Sequence, residues 1–135
     1  MLHHIELYVS DLAKSRDFYE FLLPFLGYEL YQDWPQGFSM KLAEHYIVFV
    51  QTPADFLEAG YHRCRIGLNH LAFRGGRREQ VDNLREVLRN KGVRLLYDDR
   101  YPYAGGQEHY ALYCEDPDQI KIEIVAEVAD DQHPT

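Results

Sequence analysis

Three side chains of the 135-residue chain are of the types that hold a divalent metal ion: His4, His70 and Glu123. Each histidine opens a segment that alternates apolar and polar residues, and Glu123 belongs to the last such segment. Two neutral imidazoles and a carboxylate on one side of a metal ion leave positions open for water or substrate. Together, these residues point to metal-assisted chemistry on a small molecule.

Each of the three residues also has a simpler explanation when it is taken alone. A histidine at the end of a strand can serve only to bond a backbone carbonyl. Glu123 shares its strand face with Lys121, two residues before it, and such a charged face fits an exposed ion pair across neighbouring strands. The prediction of a metal site therefore depends on the elements that would bring the three residues together.

The segment 109–125, which contains Glu123, predicts two strands joined by a tight turn. Asp116 can bond the backbone two residues on, and Pro117 presets φ for the turn. After the turn, alternation places Ile122 on the face opposite to Glu123. Glu123 is a site residue if its face lines a cleft.

The chain repeats one order of elements, a strand, a helix and three further strands. The first half has a strand at 3–9, a helix that Ser10 or Asp11 begins, and strands at 28–33, 38–42 and 46–51. The second half has a strand at 67–73, a helix at 79–91, a strand at 93–97 and the two strands of 109–125. The fold class is predicted to be α+β, with two tandem βαβββ modules forming a curved mixed sheet around a central cleft.

A single domain is predicted for residues 1–127. Module one covers 1–52, an irregular linker covers 53–66, and module two covers 67–127. The acidic segment 128–135 is expected to fray.

Composition excludes several classes of partner. The net charge of −8, from 22 acidic against 14 basic residues, argues against binding to nucleic acid or to an anionic membrane. No apolar run approaches the ~20 residues that cross a bilayer. The two isolated cysteines favour a reduced, cytoplasmic protein. The 11 tyrosines and seven histidines suit a cavity for a partly polar small molecule.

Three segments stand in order along the chain: HHIELYVSDLAKSRDFYEFLLPFLGYEL, GLNHLAFRG and YALYCEDPDQIKIEIV. Together they resemble the vicinal oxygen chelate superfamily, which includes glyoxalase I, bleomycin and fosfomycin resistance proteins, and extradiol dioxygenases. The resemblance covers roughly residues 2–127. It implies paired βαβββ modules around a divalent metal, with ligands at His4, position 48, His70 and Glu123. It also implies a homodimer and a small-molecule substrate or ligand.

The chain departs from this family at two places. Position 48 is Val48, which cannot bind a metal, and Gln51 falls on the opposite strand face. The remaining set of two histidines and one glutamate is similar to that of fosfomycin resistance enzymes and extradiol dioxygenases. Fe, Mn, Zn and Ni all accept such ligands. Gln119 replaces the glycine of the family's DPDG turn, at a cost of up to ~1 kcal/mol if its backbone is left-handed.

Two residues are predicted to act beyond the metal. His109 is a candidate general base or substrate donor, and Tyr113 shares its strand face. The segment 100–107 is either a lid or only a long connection.

Two functions stay open. The first is a metal-dependent enzyme: a lyase or isomerase, a transferase of thiols to epoxides, or a dioxygenase. The second is a non-catalytic binding or resistance protein that sequesters its ligand in an aromatic cleft.

Overall fold

A computed structural model describes residues 1–127 of the chain. The predicted tail, 128–135, lies outside the described residues. The described part divides into two compact units, one spanning Met1–Tyr61 and the other beginning at His62. This division falls inside the predicted linker, 53–66, while the predicted bounds of a single domain stay a prediction.

The first unit contains one helix and a four-stranded sheet. Its elements are β1 (His4–Val9), α1 (Leu12–Phe25), β2 (Glu29–Trp34), β3 (Gly37–Leu42) and β4 (His45–Gln51), followed by a single 3₁₀ turn at Ala54–Phe56. The Asp11 side chain caps α1 by accepting a hydrogen bond from the backbone N–H of Lys14 at 3.2 Å. Pro24 lies inside the last turn of the helix, and Gly27, with a left-handed backbone at φ 95°, turns the chain away after it.

The second unit repeats this order. Its elements are β5 (His70–Arg74), α2 (Arg78–Lys91), β6 (Leu95–Leu96), β7 (Ala111–Glu115) and β8 (Lys121–Val125), with a 3₁₀ turn at Asp98–Arg100. Gly92 ends α2 in the left-handed conformation at φ 91°, which glycine adopts at little cost.

The two sheets have the same strand order. The first runs β1-β4-β3-β2 and the second β5-β8-β7-β6. In each sheet the module's first and last strands pair in parallel, and the other neighbours pair antiparallel. The α+β class and the two tandem βαβββ modules are therefore confirmed.

Strand β6 is shorter than the predicted strand 93–97. Tyr97 adopts a left-handed backbone at φ 59°, and the 3₁₀ turn begins directly after it. An extended strand cannot continue through such a residue, so only Leu95 and Leu96 pair with β7.

Each helix covers one face of its own sheet with apolar side chains. In the first unit, Tyr19 of α1 stacks on Phe49 of β4 with ring centroids 4.1 Å apart. In the second unit, Leu88 of α2 and Ile122 of β8 are fully buried. The opposite face of each sheet is therefore the one that can carry polar chemistry. None of the helices in the described part of the chain is long and apolar enough to cross a membrane.

Candidate functional site

Glu123 lies at the centre of the polar face of the second sheet. It is only 6% exposed, although it sits on an alternating strand with Lys121 two residues before it. The explanation of Glu123 as an exposed surface residue is therefore wrong. Burying a carboxylate is costly unless other groups bond or neutralise it, so the neighbours of Glu123 define the site.

Two histidines contact the two oxygens of Glu123. The Nε2 atom of His70 lies 3.0 Å from Oε1. The Nε2 atom of His109 is hydrogen-bonded to Oε2. Strand β5 provides His70, β8 provides Glu123, and His109 comes from the chain just before β7.

Both nitrogens of His70 face an acceptor. Its Nδ1 atom lies 2.6 Å from Oδ1 of Asn69, and its Nε2 atom faces the Glu123 carboxylate. A neutral imidazole has only one N–H group, so one of its two nitrogens carries a lone pair that could bind a metal ion. If the Asn69 oxygen accepts a hydrogen bond from the Nδ1–H group of His70, the Nε2 atom keeps its lone pair and can bind a metal ion. This arrangement is common around metal-binding histidines.

Tyr113 lies on the same polar face as Glu123. It lies directly opposite Glu123 in the antiparallel pairing of β7 and β8. Burial raises the pKa of Tyr113 to about 12, and the charge of Glu123 and a hydrogen bond to it act in the same direction. The Tyr113 phenol therefore keeps its proton at physiological pH and can donate a hydrogen bond.

Lys121 is a cation on the same face, as its spacing of two residues from Glu123 predicts. Its ammonium lies 5.2 Å from the ring centroid of Tyr97 and 5.3 Å from that of Tyr113. It also donates to the Tyr97 hydroxyl at 3.3 Å. The alternation with Glu123 placed Lys121 on this face, but only the structure shows the aromatic rings that hold its ammonium.

Gly105 lies in the segment 100–107, which the sequence left open as a lid or a long connection. A Cβ at this position would lie 2.4 Å from the Tyr113 hydroxyl oxygen and 2.9 Å from Cδ2 of His109. The segment 100–107 thus packs its backbone onto both predicted catalytic residues, and a side chain at position 105 would have to displace the Tyr113 hydroxyl and the His109 ring.

The polar face of the first sheet carries a cavity of about 360 Å³. Its lining residues are His4, Glu6, Gln32, Trp34, Tyr46 and Val48. The imidazole of His4 stacks on Tyr46 with centroids 4.8 Å apart, and its Nδ1 atom lies 2.9 Å from Nδ1 of His3. Val48 is 4% exposed and forms part of the cavity wall.

Gln51 has a structural role. Its side chain accepts a hydrogen bond from the backbone N–H of Leu12 at 2.9 Å and donates to the carbonyl of Ser10 at 2.8 Å. It therefore satisfies backbone groups at the start of α1, where helix N–H groups have no partner within the helix.

The structure thus brings His70, Glu123, His109 and Tyr113 together within one unit. His4 belongs to the other unit, and its part in a common metal site stays a prediction. Among residues 1–127, no three His, Cys, Asp or Glu side chains are already arranged around a point as metal ligands. The chemistry of the donors fits a divalent cation, because imidazole and carboxylate suit Fe, Mn, Zn and Ni.

Known proteins are similar to this chain in sequence and in fold. The chain is 57% identical over 125 residues to YqjT of Bacillus subtilis (strain 168), an uncharacterized protein, and the match covers 93% of this chain and 98% of YqjT. A structure from Bacillus halodurans, provisionally named a glyoxalase, has a TM-score of 0.93 and 52% identity over 94% of this chain and 96% of that one.

A more distant structure shares the fold alone. The fosfomycin resistance protein FosX of Listeria monocytogenes has a TM-score of 0.65 and 23% identity, over 94% of this chain and 90% of FosX. Residues 1–124 match the sequence profile of the Glyoxalase/Bleomycin resistance protein/Dioxygenase superfamily. With two βαβββ units and this profile across nearly all of its length, the chain belongs to that superfamily.

Proposed function

We propose that the chain is a metal-dependent enzyme that acts on a small molecule carrying adjacent oxygen atoms. The observation that carries this proposal is the His70–Glu123 pair. A buried carboxylate lies 3.0 Å from an imidazole whose other nitrogen already faces the Asn69 side-chain oxygen. His70 and Glu123 are the proposed ligands, and His4 joins them because it holds the position of His70 in the repeat.

A bound divalent metal would polarise the substrate oxygens and stabilise negative charge that develops on them. Tyr113 holds its proton, which it shares with Glu123, and would redirect that hydrogen bond to a substrate oxygen. The Nε2 atom of His109 is already bonded to Glu123, so His109 would exchange a proton with the substrate through Nδ1. Lys121 would favour a substrate with negative charge, since its ammonium lies on the same sheet face.

Metal binding tests the proposal most directly. Metal-free protein is titrated with Fe²⁺, Mn²⁺, Zn²⁺ and Ni²⁺ by calorimetry, and metal is also measured in protein as purified. Wild type should bind at least one of these ions far more tightly than millimolar. Glu123→Gln should weaken that binding about ten-fold or more, as loss of a ligand or its support does.

Glu108→Gln is the matched control, because Glu108 is an exposed carboxylate of the same unit. If wild type binds none of the four ions more tightly than millimolar, the metal-dependent function is wrong. Equal affinity of the Glu123→Gln and Glu108→Gln variants would remove Glu123 from the ligand set.

The alternative is a binding protein that sequesters a small molecule without chemistry. The cavity of the first unit favours it, because its volume of about 360 Å³ is within the range of ligand pockets and Trp34 and Tyr46 offer aromatic surface. In that case metal-free protein would bind its ligand as well as metal-loaded protein does, and His70→Ala would leave ligand affinity unchanged.

A further inference from the structure

Each unit has one pair of parallel strands, and two residues that face each other in that pair form a row. Equivalent rows of the two units each contain one carboxylate, but on different strands. In the second unit, Glu123 of β8 pairs with Ala72 of β5. In the first unit the same row pairs Val48 of β4 with Glu6 of β1. The carboxylate and the apolar residue have thus exchanged strands between the two units.

Glu6 lies on the same strand face as His4. The two residues are two positions apart on β1, so their side chains point to the same side, roughly 6.6 Å apart along the strand. Both line the cavity of the first unit. Moving a carboxylate from β4 to β1 displaces its Cα by one strand spacing, about 4.8 Å, without changing its row.

The charges around the cavity favour a cation. Glu6 is the one carboxylate among the lining residues that the structure describes, and no lysine or arginine lines the cavity. In the row that contains the histidine, the second unit has Lys121 beside His70, whereas the first unit has neutral Tyr46 beside His4. Tyr46 stacks on the His4 ring, and His3 contacts its Nδ1 atom, so Nε2 is the nitrogen that a metal would use.

We infer that Glu6 supplies the carboxylate that Val48 cannot, so that His4 and Glu6 are the first unit's ligands for a divalent cation. This inference rests on the proposed metal-dependent function. It identifies as a ligand a residue of the first strand, where the chain's resemblance to its superfamily points to the last strand of the module.

Three variants test this inference by calorimetric titration of metal-free protein with Ni²⁺. Glu6→Gln keeps the shape of the side chain and removes its charge, and it should weaken Ni²⁺ affinity about ten-fold or more. Glu44→Gln removes an exposed carboxylate from the turn between β3 and β4 and should bind as wild type does.

The third variant exchanges the two residues, Glu6→Val with Val48→Glu. Position 48 pairs with position 6, so the exchange keeps one carboxylate in this strand pair and Glu6→Val removes the second negative charge that a glutamate at position 48 would otherwise meet. The exchanged variant should regain Ni²⁺ affinity to within about three-fold of wild type. Circular dichroism verifies that each variant is folded.

The outcomes separate this inference from the function on which it rests. No Ni²⁺ binding by wild type, together with none of Fe²⁺, Mn²⁺ or Zn²⁺, overturns the proposed function and this inference with it. Tight binding by wild type that Glu6→Gln leaves unchanged overturns the role of Glu6 alone. A folded exchange variant that binds no better than Glu6→Gln shows that positions 6 and 48 are not interchangeable as carboxylate sites, which also overturns the inference.

Discussion

Tyr113 and Glu123 face each other across the β7–β8 pair, and the phenol proton is held beside a buried carboxylate. This pairing gives Tyr113 a fixed protonation state. It also makes the stability of the second unit depend on pH in the alkaline range, because burial disfavours a phenolate at Tyr113 and the negative charge of Glu123 disfavours it further.

Tyr113→Phe should remove this alkaline dependence. The folded-state pKa is about 12 against an ordinary value of 10, so the favourable contribution is complete below pH 10 and is lost as pH rises towards 12. Urea unfolding at a series of pH values should therefore show wild type losing stability relative to Tyr113→Phe over this window. Tyr8→Phe, at a 65% exposed ring, should follow wild type. Parallel pH curves for wild type and Tyr113→Phe would contradict the assignment.

Asn69 should act as a positioning residue for His70. Asn69→Ala removes the oxygen that lies 2.6 Å from Nδ1 and should weaken metal affinity about ten- to hundred-fold. Asn69→Asp keeps an acceptor and should restore most of that affinity. A role in folding alone would instead lower the unfolding free energy of both variants and leave metal affinity unchanged.

Gly105→Ala should disturb the contact between the segment 100–107 and the site. The new methyl group would meet the Tyr113 hydroxyl and the His109 ring, and relieving this overlap should cost about 1–3 kcal/mol of unfolding free energy. The imidazole signals of His109 in NMR spectra should shift. Gln107→Ala, at an exposed position of the same loop, is the control and should change neither quantity. Unchanged His109 signals in Gly105→Ala would show that the loop does not pack onto the site.

Gln119 should respond to substitution according to its backbone. Its φ of 66° is left-handed, as expected for the residue that replaces the turn glycine. Gln119→Gly should therefore raise the unfolding free energy by up to about 1 kcal/mol, with Gln119→Asn intermediate. Gln119→Ala should be neutral, because alanine keeps the Cβ that causes the strain. Equal stability of all four proteins in urea titrations would contradict this.

The two cysteines should differ in reactivity. Cys64 is exposed, whereas burial, assisted by the charges of Asp116 and Glu115, raises the pKa of Cys114 to about 12. An aromatic disulfide reagent near neutral pH should therefore modify one thiol of the native chain and both thiols in guanidinium. Cys64→Ser should leave no rapidly reacting thiol in the native protein, and rapid labelling of that variant would be the contrary result.

Much of the fold could be predicted from the sequence because its signals are local. Alternation located β8 and separated Ile122 from Glu123, and the helical spacing before Gly92 located α2. The shortening of β6 could not be predicted in this way. It depends on the left-handed backbone of Tyr97, which no residue type marks.

The candidate site was predictable in part. Residue types and the repeat identified His70 and Glu123, which lie 3.0 Å apart, and also singled out His109 and Tyr113. Strand pairing could not be predicted to the nearest residue, so the position of Glu6 opposite Val48 was not visible. Of the two rings around Lys121, Tyr113 belongs to the same predicted hairpin, whereas Tyr97 lies outside it and only tertiary packing brings it close.

Strand β1 is at the edge of its sheet, whereas β8 has a neighbour on each side. The Glu123 carboxylate on β8 is buried away from water. Without a cation, its contacts with His70 and His109 are what offset its lost hydration. Glu6, on the edge strand, keeps contact with water. The apo protein can therefore tolerate a charge at Glu6 at much smaller desolvation cost, and module one can change its last strand to valine without destabilising the sheet.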